Sequence, residues 1–215
     1  MIQWLLDNSE RVAQLAGVHT VLAASATLIG LAIALVLGMV VARTRWTAGV
    51  LLAASGVLFT IPSLTLLVFI PVIIGTQILD PMNIVIALSV YSFAFVFGGV
   101  VEALRAVPVE TRQAAEAMGI GRLRLLLTVE LPLAIPVIAA SLRVAAVSNV
   151  SLVSVGALIG VGGLGDLFTE GFQRSYLVPI VWGIVLSVVL AIIFDVIVVL
   201  LERISTPWIR AGEQR

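Results

Sequence analysis

The charged residues of this chain are confined to a few short parts of the sequence, and long apolar stretches lie between them. A helix of about 20 predominantly apolar residues crosses the roughly 30 Å of hydrocarbon in a bilayer. Of the 215 residues, 61% are hydrophobic and only 11% are charged, whereas soluble domains typically contain about 25% charged residues. The sequence therefore predicts an all-α polytopic membrane protein embedded in the lipid bilayer.

The positions of the charges divide the chain into five predicted membrane spans. The segment 102–132 carries eight charged residues and is therefore too polar to lie in hydrocarbon. It is predicted to be a solvated loop. Pro62 and Pro71 fall within the second span and are expected to kink or bound it. One transmembrane domain is expected over residues 1–215, with spans at about 18–41, 50–74, 84–101, 133–159 and 177–201.

The arginines predict which way the spans run, because cytoplasmic loops retain basic residues. With the amino terminus outside, nine arginines fall on the inner side and only two, Arg11 and Arg174, on the outer side. Five spans then place the carboxyl terminus in the cytoplasm. The segment 102–132 is therefore predicted to be cytoplasmic.

A short helix is predicted within this cytoplasmic segment. Pro108 can occupy its first position, Glu110 suits the positive end of the helix dipole, and Gly119 can end the helix in a left-handed conformation. A helix of about eleven residues would be about 16 Å long, too short to cross a bilayer. The small side chains in its centre, Gln113-Ala114-Ala115-Glu116, would let a partner surface approach the backbone closely.

The same segment contains a spaced motif, in which Ala114-Ala115 is followed by Gly119, then Val129 and then Leu131-Pro132. This motif resembles the EAA signature of permease subunits of bacterial ABC importers. Gln113 stands where that family prefers Glu, and Val129 where it prefers Ile. The resemblance implies a type I ABC importer-like fold, with the short helix as a coupling helix in a cleft of a cytoplasmic ATPase subunit. The coupling residues it implies are Gln113, Ala114, Ala115, Glu116, Gly119, Leu131 and Pro132.

The alternative interpretation of segment 102–132 is an amphipathic interfacial loop of another kind of membrane protein; the match in spacing favours the family.

Three further strings support the resemblance, and they are similar to permeases of the osmoprotectant branch, which import glycine betaine, choline or carnitine. Permeases for amino acids such as methionine share parts of them, so amino-acid import is the alternative substrate class. The strings are Thr60-Ile61-Pro62-Ser63-Leu64, Glu130-Leu131-Pro132-Leu133 with Pro136, and the segment from Ala157 to Gly165.

The resemblance also implies a set of partners and a location. The partners are cytoplasmic ATPase subunits that hold ATP and Mg, an extracytoplasmic solute-binding protein, and a second permease copy or a paralogue. The location is the bacterial inner membrane.

Gly160, Gly162, Gly163 and Gly165 match the loose dinucleotide-binding pattern G-x-G-x-x-G. That fingerprint requires a preceding strand and a following helix in a soluble βαβ unit. Here the glycines follow a membrane span at its outer end, so a flexible and closely packed backbone at the external mouth is predicted instead. The resemblance implies that the segment helps to form a periplasmic gate.

Arg143 and Asp195 are the only charged residues inside the predicted spans. Charges within a membrane are usually paired or functional. Both lie about 10 to 15 Å from the cytoplasmic ends of their spans, at 1.5 Å per helical residue. We therefore predict an ion pair, and we favour a structural lock between two helices over a gating or substrate role.

No catalytic constellation is recognisable in the sequence. Cysteine is absent, His19 is the only histidine, and the chain has no lysine to grip a nucleotide phosphate. The net charge of zero gives no basic excess for nucleic acid. The chain is therefore predicted to have no catalytic site or cofactor of its own, so any ATP hydrolysis must come from a partner. The resemblance implies that the chain is a transport subunit.

A secondary carrier driven by an ion gradient is the rival class. Such carriers usually show inverted repeats and several intramembrane ionisable groups. This sequence shows no evident repeat and a single predicted pair.

Overall fold

The structure, a computed structural model, describes residues 1–208 apart from the side chain of Arg45, and most of these residues are helical. The ten α-helices of residues 1–208 are α1 (Ile2–Asp7), α2 (Ser9–Val41), α3 (Arg45–Thr60), α4 (Ser63–Ile74), α5 (Pro81–Ala106), α6 (Val109–Ala117), α7 (Arg122–Leu125), α8 (Leu131–Gly156), α9 (Gly165–Gln173) and α10 (Leu177–Ser205). A π-helical turn, Leu126–Glu130, joins α7 to α8, and a 3-10 turn, Ala157–Ile159, follows α8.

Among the described residues, four helical segments are each long and apolar enough to cross a membrane: α2, α5, the segment Arg122–Ile159 and α10. They correspond to the first, third, fourth and fifth predicted spans. Each is longer than predicted, because polar residues at the membrane edges continue the helices. The fourth shows this most clearly, since the last part of the predicted loop 102–132 is helical and runs directly into α8.

The second predicted span is two helices rather than one. α3 and α4 are bent by 104° at Ile61 and Pro62, so the pair is either one broken span or a re-entrant loop. Both residues are extended, with ψ angles of 126° and 133°, because the proline ring disfavours the helical conformation in the residue before it. The Tyr91 hydroxyl of α5 donates to the carbonyl of Ile61 at this break. Pro71, by contrast, lies inside α4 and does not end it.

α5 is the central helix, with α2 and α8 packed against it. The helices approach closely where one of them has a glycine, as is typical of membrane helices. A Cβ atom on Gly30 would lie 2.8 Å from the backbone nitrogen of Phe93, and one on Gly38 would lie 2.5 Å from the side chain of Val100. These two glycines therefore fix the distance between α2 and α5.

A buried polar cluster joins the same three helices in the middle of the bundle. The Asn149 side-chain amide of α8 donates to Thr27 Oγ1 of α2 at 2.8 Å and to Ser92 Oγ of α5 at 2.7 Å. All three side chains are buried. In an apolar surrounding these bonds hold the helices in one register.

Candidate coupling site

The short helix predicted in the polar segment is α6, with nine residues. Pro108 precedes α6 as its N-cap and is not its first residue, because its ψ of 139° is extended. Gly119 has a φ of 77°, in the left-handed region that glycine adopts without strain. The amide of Ile120 donates to the carbonyl of Ala115 at 3.2 Å across this end of the helix. The glycine therefore ends α6 sharply, as predicted.

The predicted coupling residues divide into an exposed group and a packed group. Gln113, Ala114, Glu116 and Gly119 are exposed, whereas the Ala115 side chain is only 3% exposed. Leu131 and Pro132 begin α8 and are half-buried, and Leu131 packs against the buried cluster formed by the ends of α2 and α5 and the start of α8. The surface that a partner could contact is therefore the outer face of α6.

The buried carboxylate of Glu130, at the end of the π-helical turn, anchors α6 to the spans. The Glu130 side chain is 3% exposed. Arg43 Nη2, just after α2, donates to both carboxylate oxygens at 3.0 Å, and Arg112 Nε of α6 lies 3.2 Å from Oε1. Arg112 Nη2 also donates to the carbonyl of Leu104 in α5 at 2.7 Å. One ion cluster thus ties α6 to α2, α5 and α8.

Sequence analysis did not identify Glu130 as part of the site. It is the acid directly before Leu131-Pro132, at the point where a charged segment enters the membrane. An acid at such a boundary needs a basic partner, which is a usable signal. The partners, however, lie 87 and 18 positions away in the sequence, and only the fold brings them together.

The structure brings Arg143 and Asp195 together across α8 and α10. Arg143 Nε donates to Asp195 Oδ1 at 2.6 Å, and Arg143 Nη2 donates to Oδ2 at 2.9 Å. This bidentate geometry is the strongest form of an arginine-carboxylate contact. The two side chains are 43% and 32% exposed, so the pair lies on the surface of this chain and not in its core.

The predicted gate glycines lie in a closely packed turn between α8 and α9. Gly163 has a φ of 64°, and a Cβ atom there would lie 2.7 Å from the Cβ and 2.9 Å from the backbone nitrogen of His19. A Cβ atom on Gly165 would lie 2.5 Å from the Ser154 carbonyl. Gly162 is also buried, whereas Gly160 is exposed and has a φ of 84°. Within residues 1–208 no strand precedes the glycines, so the context of a dinucleotide site is absent there.

His19 holds this turn against α2 and α8. Its Nε2 lies 2.8 Å from the Val150 carbonyl, and the Leu164 amide donates to its Nδ1 at 3.2 Å. This pattern requires a neutral ring with its proton on Nε2. In the part of the chain that the structure describes, no group of three or more His, Asp or Glu side chains could hold a metal ion. The histidine is thus a packed structural link, which sequence analysis did not foresee.

An ion cluster lies beside this turn, where α9 meets the start of α2. Arg11 Nη2 lies 2.6 Å from Glu170 Oε2, and Arg174 Nη1 lies 2.9 Å from Glu170 Oε1, so both arginines form ion pairs with this carboxylate. Burial raises the pKa of Asp166 above its ordinary value, and the nearby Arg11 guanidinium opposes that rise. Arg11 and Arg174, the two arginines predicted to lie on the outer side, therefore both contact the Glu170 carboxylate.

The Glu130 anchor can be tested with Glu130→Gln, which keeps the shape and removes the charge. We expect the free energy of unfolding to fall by about 3 kcal/mol, because two arginines lose a buried counter-charge. We also expect faster hydrogen exchange at the amides of α6. The matched control is Glu102→Gln, which removes an exposed charge from the same end of the molecule. Equal exchange of α6 in both variants would show that Glu130 is not its anchor.

The pairing of Arg143 and Asp195 predicts a non-additive result in a double-mutant cycle. Asp195→Ala should lower the thermal stability, since it leaves Arg143 without its counter-charge inside the membrane. Adding Arg143→Ala should restore part of the loss. The measurement is thermal unfolding of both single variants and the double variant in micelles. Additive damage would contradict a pairwise interaction.

Comparison with solved structures shows the fold. A chain of the MetNI methionine ABC transporter, in inward-facing conformations, superposes with a TM-score of 0.76 at 24% identity, covering 95% of this chain and 98% of that one. A second crystal form of the same transporter gives a TM-score of 0.77 over 96% of this chain and all of the other. The predicted all-α, type I ABC importer-like fold is confirmed.

Comparison with curated proteins identifies relatives along nearly the whole chain. The osmoprotectant import permease protein OsmW of Salmonella typhimurium is 33% identical over 96% of this chain and 97% of its own length. The carnitine transport permease protein OpuCD of Listeria monocytogenes is 28% identical over 96% of this chain and 92% of its own. The choline transport system permease protein OpuBB of Bacillus subtilis is 28% identical over 100% of this chain and 96% of its own length.

The family described as the binding-protein-dependent transport system inner membrane component matches residues 27–207. The match includes α6, the Glu130 cluster and both members of the Arg143–Asp195 pair. The resemblance to permease subunits of ABC importers is thus confirmed. The chain belongs to this family of inner-membrane components and is a multi-pass permease subunit of an ABC importer.

Proposed function

We propose that this permease forms the translocation pathway for a small quaternary-amine osmoprotectant such as glycine betaine, choline or carnitine. The observation that supports this most directly is the 33% identity to OsmW, an osmoprotectant import permease, along 97% of that protein's length. Relatives named for carnitine and choline transport also match 96% of this chain or more. The likeness to a methionine transporter, at 24% identity, concerns the fold and gives no support to an amino-acid substrate.

The proposed mechanism couples transport to ATP hydrolysis on separate cytoplasmic ATPase subunits, which hold ATP and Mg. The exposed face of α6, with Gln113, Ala114 and Glu116, is the proposed contact surface. Because the Glu130 cluster joins α6 to three long helices, a displacement of α6 moves those helices with it. A rigid helix held in a partner groove transmits such a displacement between two conformations.

A second permease copy, or a paralogue, is proposed to cover the face formed by α8 and α10. In an apolar stretch of 18 residues, only 6% of α10 is buried within this chain, whereas 61% of the corresponding stretch of α5 is buried. The half-exposed Arg143–Asp195 pair lies on the same two helices. Intramembrane charges almost always face a bundle interior or a water-filled cavity. We therefore place the pathway or the second subunit, and not lipid, against this pair.

The proposed orientation has the amino terminus outside and the carboxyl terminus in the cytoplasm. It rests on the excess of arginines on the inner side, which includes Arg43, Arg112 and Arg203. The predicted inner side also includes Arg210 and Arg215, which lie outside the described residues. α6 then faces the ATPase, while the glycine turn and α9 face an extracytoplasmic solute-binding protein. The turn with Gly160, Gly162, Gly163 and Gly165 is the proposed periplasmic gate.

The coupling role of α6 predicts the effect of Ala114→Trp. Ala114 is exposed, so the substitution should leave the fold intact and obstruct docking of the ATPase. We expect solute uptake to fall at least about tenfold, which corresponds to about 1.4 kcal/mol of lost docking energy. Ala53→Trp is the matched control, since Ala53 is also exposed and lies on α3, outside α6, the glycine turn and α9. Normal uptake by the Ala114→Trp variant would refute the proposed contact surface.

The substrate class can be tested in liposomes that contain the permease with its ATPase and binding protein. Labelled glycine betaine, choline and carnitine should be taken up in the presence of ATP, and at least one of them should stimulate ATP hydrolysis. Methionine is the comparison solute. Uptake of methionine alone would refute the osmoprotectant assignment and leave the permease assignment unchanged.

A further inference from the structure

A cavity of about 420 Å³ lies at the predicted cytoplasmic end of the bundle, between the ends of α2 and α5, α6 and the turn before α8. Its charged lining consists of three arginines, Arg43, Arg105 and Arg112, and a single acid, Glu130. The rest of the lining is apolar, with Met39, Ala42, Leu104 and Leu126.

The charges in this cavity do not balance. Glu130 is shared by Arg43 and Arg112, so the three arginines leave an excess of two positive charges. The nearest further acid along α5 is Glu102, which lies with Arg105 in the adjoining surface groove and not in the cavity. Charged groups of one sign in a recess with apolar walls attract a counter-ion more strongly than exposed charges do.

The guanidinium groups also have donors to spare within the described residues. Arg105 uses Nε to donate to the Ala42 carbonyl at 3.0 Å, which leaves its two terminal nitrogens for a ligand. Arg43 uses Nη2 for Glu130. Arg112 Nε is buried and has no hydrogen bond of good geometry. Forked guanidinium donors match the oxygens of a phosphate group, and they bind it in bidentate fashion.

The position of the cavity favours a lipid headgroup over a free phosphate ion as the source of a phosphate ligand. α2 ends at Val41 and α5 at Ala106, so the arginines lie where the apolar spans meet the headgroup layer. Basic pockets between membrane helices on the cytoplasmic side are suited to anionic lipid headgroups. The apolar half of the lining would adjoin the glycerol and acyl parts of a lipid, which a free phosphate ion does not have.

We propose that this cavity is a binding site for a phosphate group, and that its occupant is the headgroup of an anionic phospholipid. The bound phosphate bridges Arg43 and Arg105 and thereby joins the ends of α2 and α5 beside the anchor of α6. The site depends on this chain alone, so it stands or falls separately from the proposed substrate and coupling role.

The test measures thermal unfolding of the purified full chain in nonionic micelles with four separate additions. These are phosphatidylglycerol, the net-neutral phosphatidylcholine, inorganic phosphate without lipid, and a polyglutamate peptide without lipid. Phosphatidylglycerol should raise the unfolding temperature in a saturable manner, because a ligand that binds the folded state stabilises it. Phosphatidylcholine should raise it less.

Variants then locate the effect within the molecule. Arg105→Gln should weaken the apparent affinity for phosphatidylglycerol at least about tenfold, since charge-assisted hydrogen bonds are lost, and Arg105→Lys should retain part of it. Each shift is measured against the variant's own lipid-free baseline. Arg124→Gln is the matched control, because Arg124 is an exposed arginine of the same segment outside the cavity.

The outcomes separate the possible occupants. An equal response of the Arg105→Gln and Arg124→Gln variants, or no response of the unmodified chain, would overturn the proposal. An Arg105-dependent shift with inorganic phosphate of the same size as that with phosphatidylglycerol would support the phosphate site and overturn the lipid source. A shift with a polyglutamate peptide and with neither phosphate source would also overturn the proposal, because the cavity would then bind the carboxylates of a protein partner.

Discussion

The buried carboxylate of Glu130 is the interaction on which the half of the molecule that contains α6 depends. A carboxylate that is 3% exposed is tolerated only because Arg43 and Arg112 compensate its charge. This requirement fixes the end of α2, α6 and the start of α8 relative to one another. The second bond of Arg112, to the Leu104 carbonyl, adds α5 to the same unit. The short helix α6 is therefore held against the bundle by these contacts.

The other end of the bundle is held by different forces. There a neutral imidazole, His19, links α2 to the Val150 carbonyl and to the Leu164 amide. The glycine turn packs so tightly against His19 that a side chain on Gly163 has no room. α2 connects this neutral contact to the ion cluster at Arg43 as one unbroken helix of 33 residues, which is about 50 Å long. Such a helix can transmit a displacement from one end of the molecule to the other.

The spacing of charges was sufficient to predict the helical membrane fold and the five hydrophobic segments, because the thickness of hydrocarbon sets their length. Pro108 and Gly119 likewise predicted α6, since both act through local backbone geometry. Pro62 indicated a break, yet the 104° angle depends on packing and on the Tyr91 bond to Ile61. The partners of Glu130 and His19 could not be predicted, because each bond joins residues that are distant in the sequence.

The position of the Arg143–Asp195 pair bears on how this chain meets its surroundings. Apolar helices gain little from burial against one another in lipid, so an apolar face such as that of α10 does not specify a partner. A half-exposed ion pair does, because hydrocarbon excludes it and a polar or protein surface accepts it. Covering this pair with lipid would therefore cost more free energy than covering the apolar side chains around it on α8 and α10. We therefore expect the contact with a second subunit, or the wall of the pathway, to include this pair.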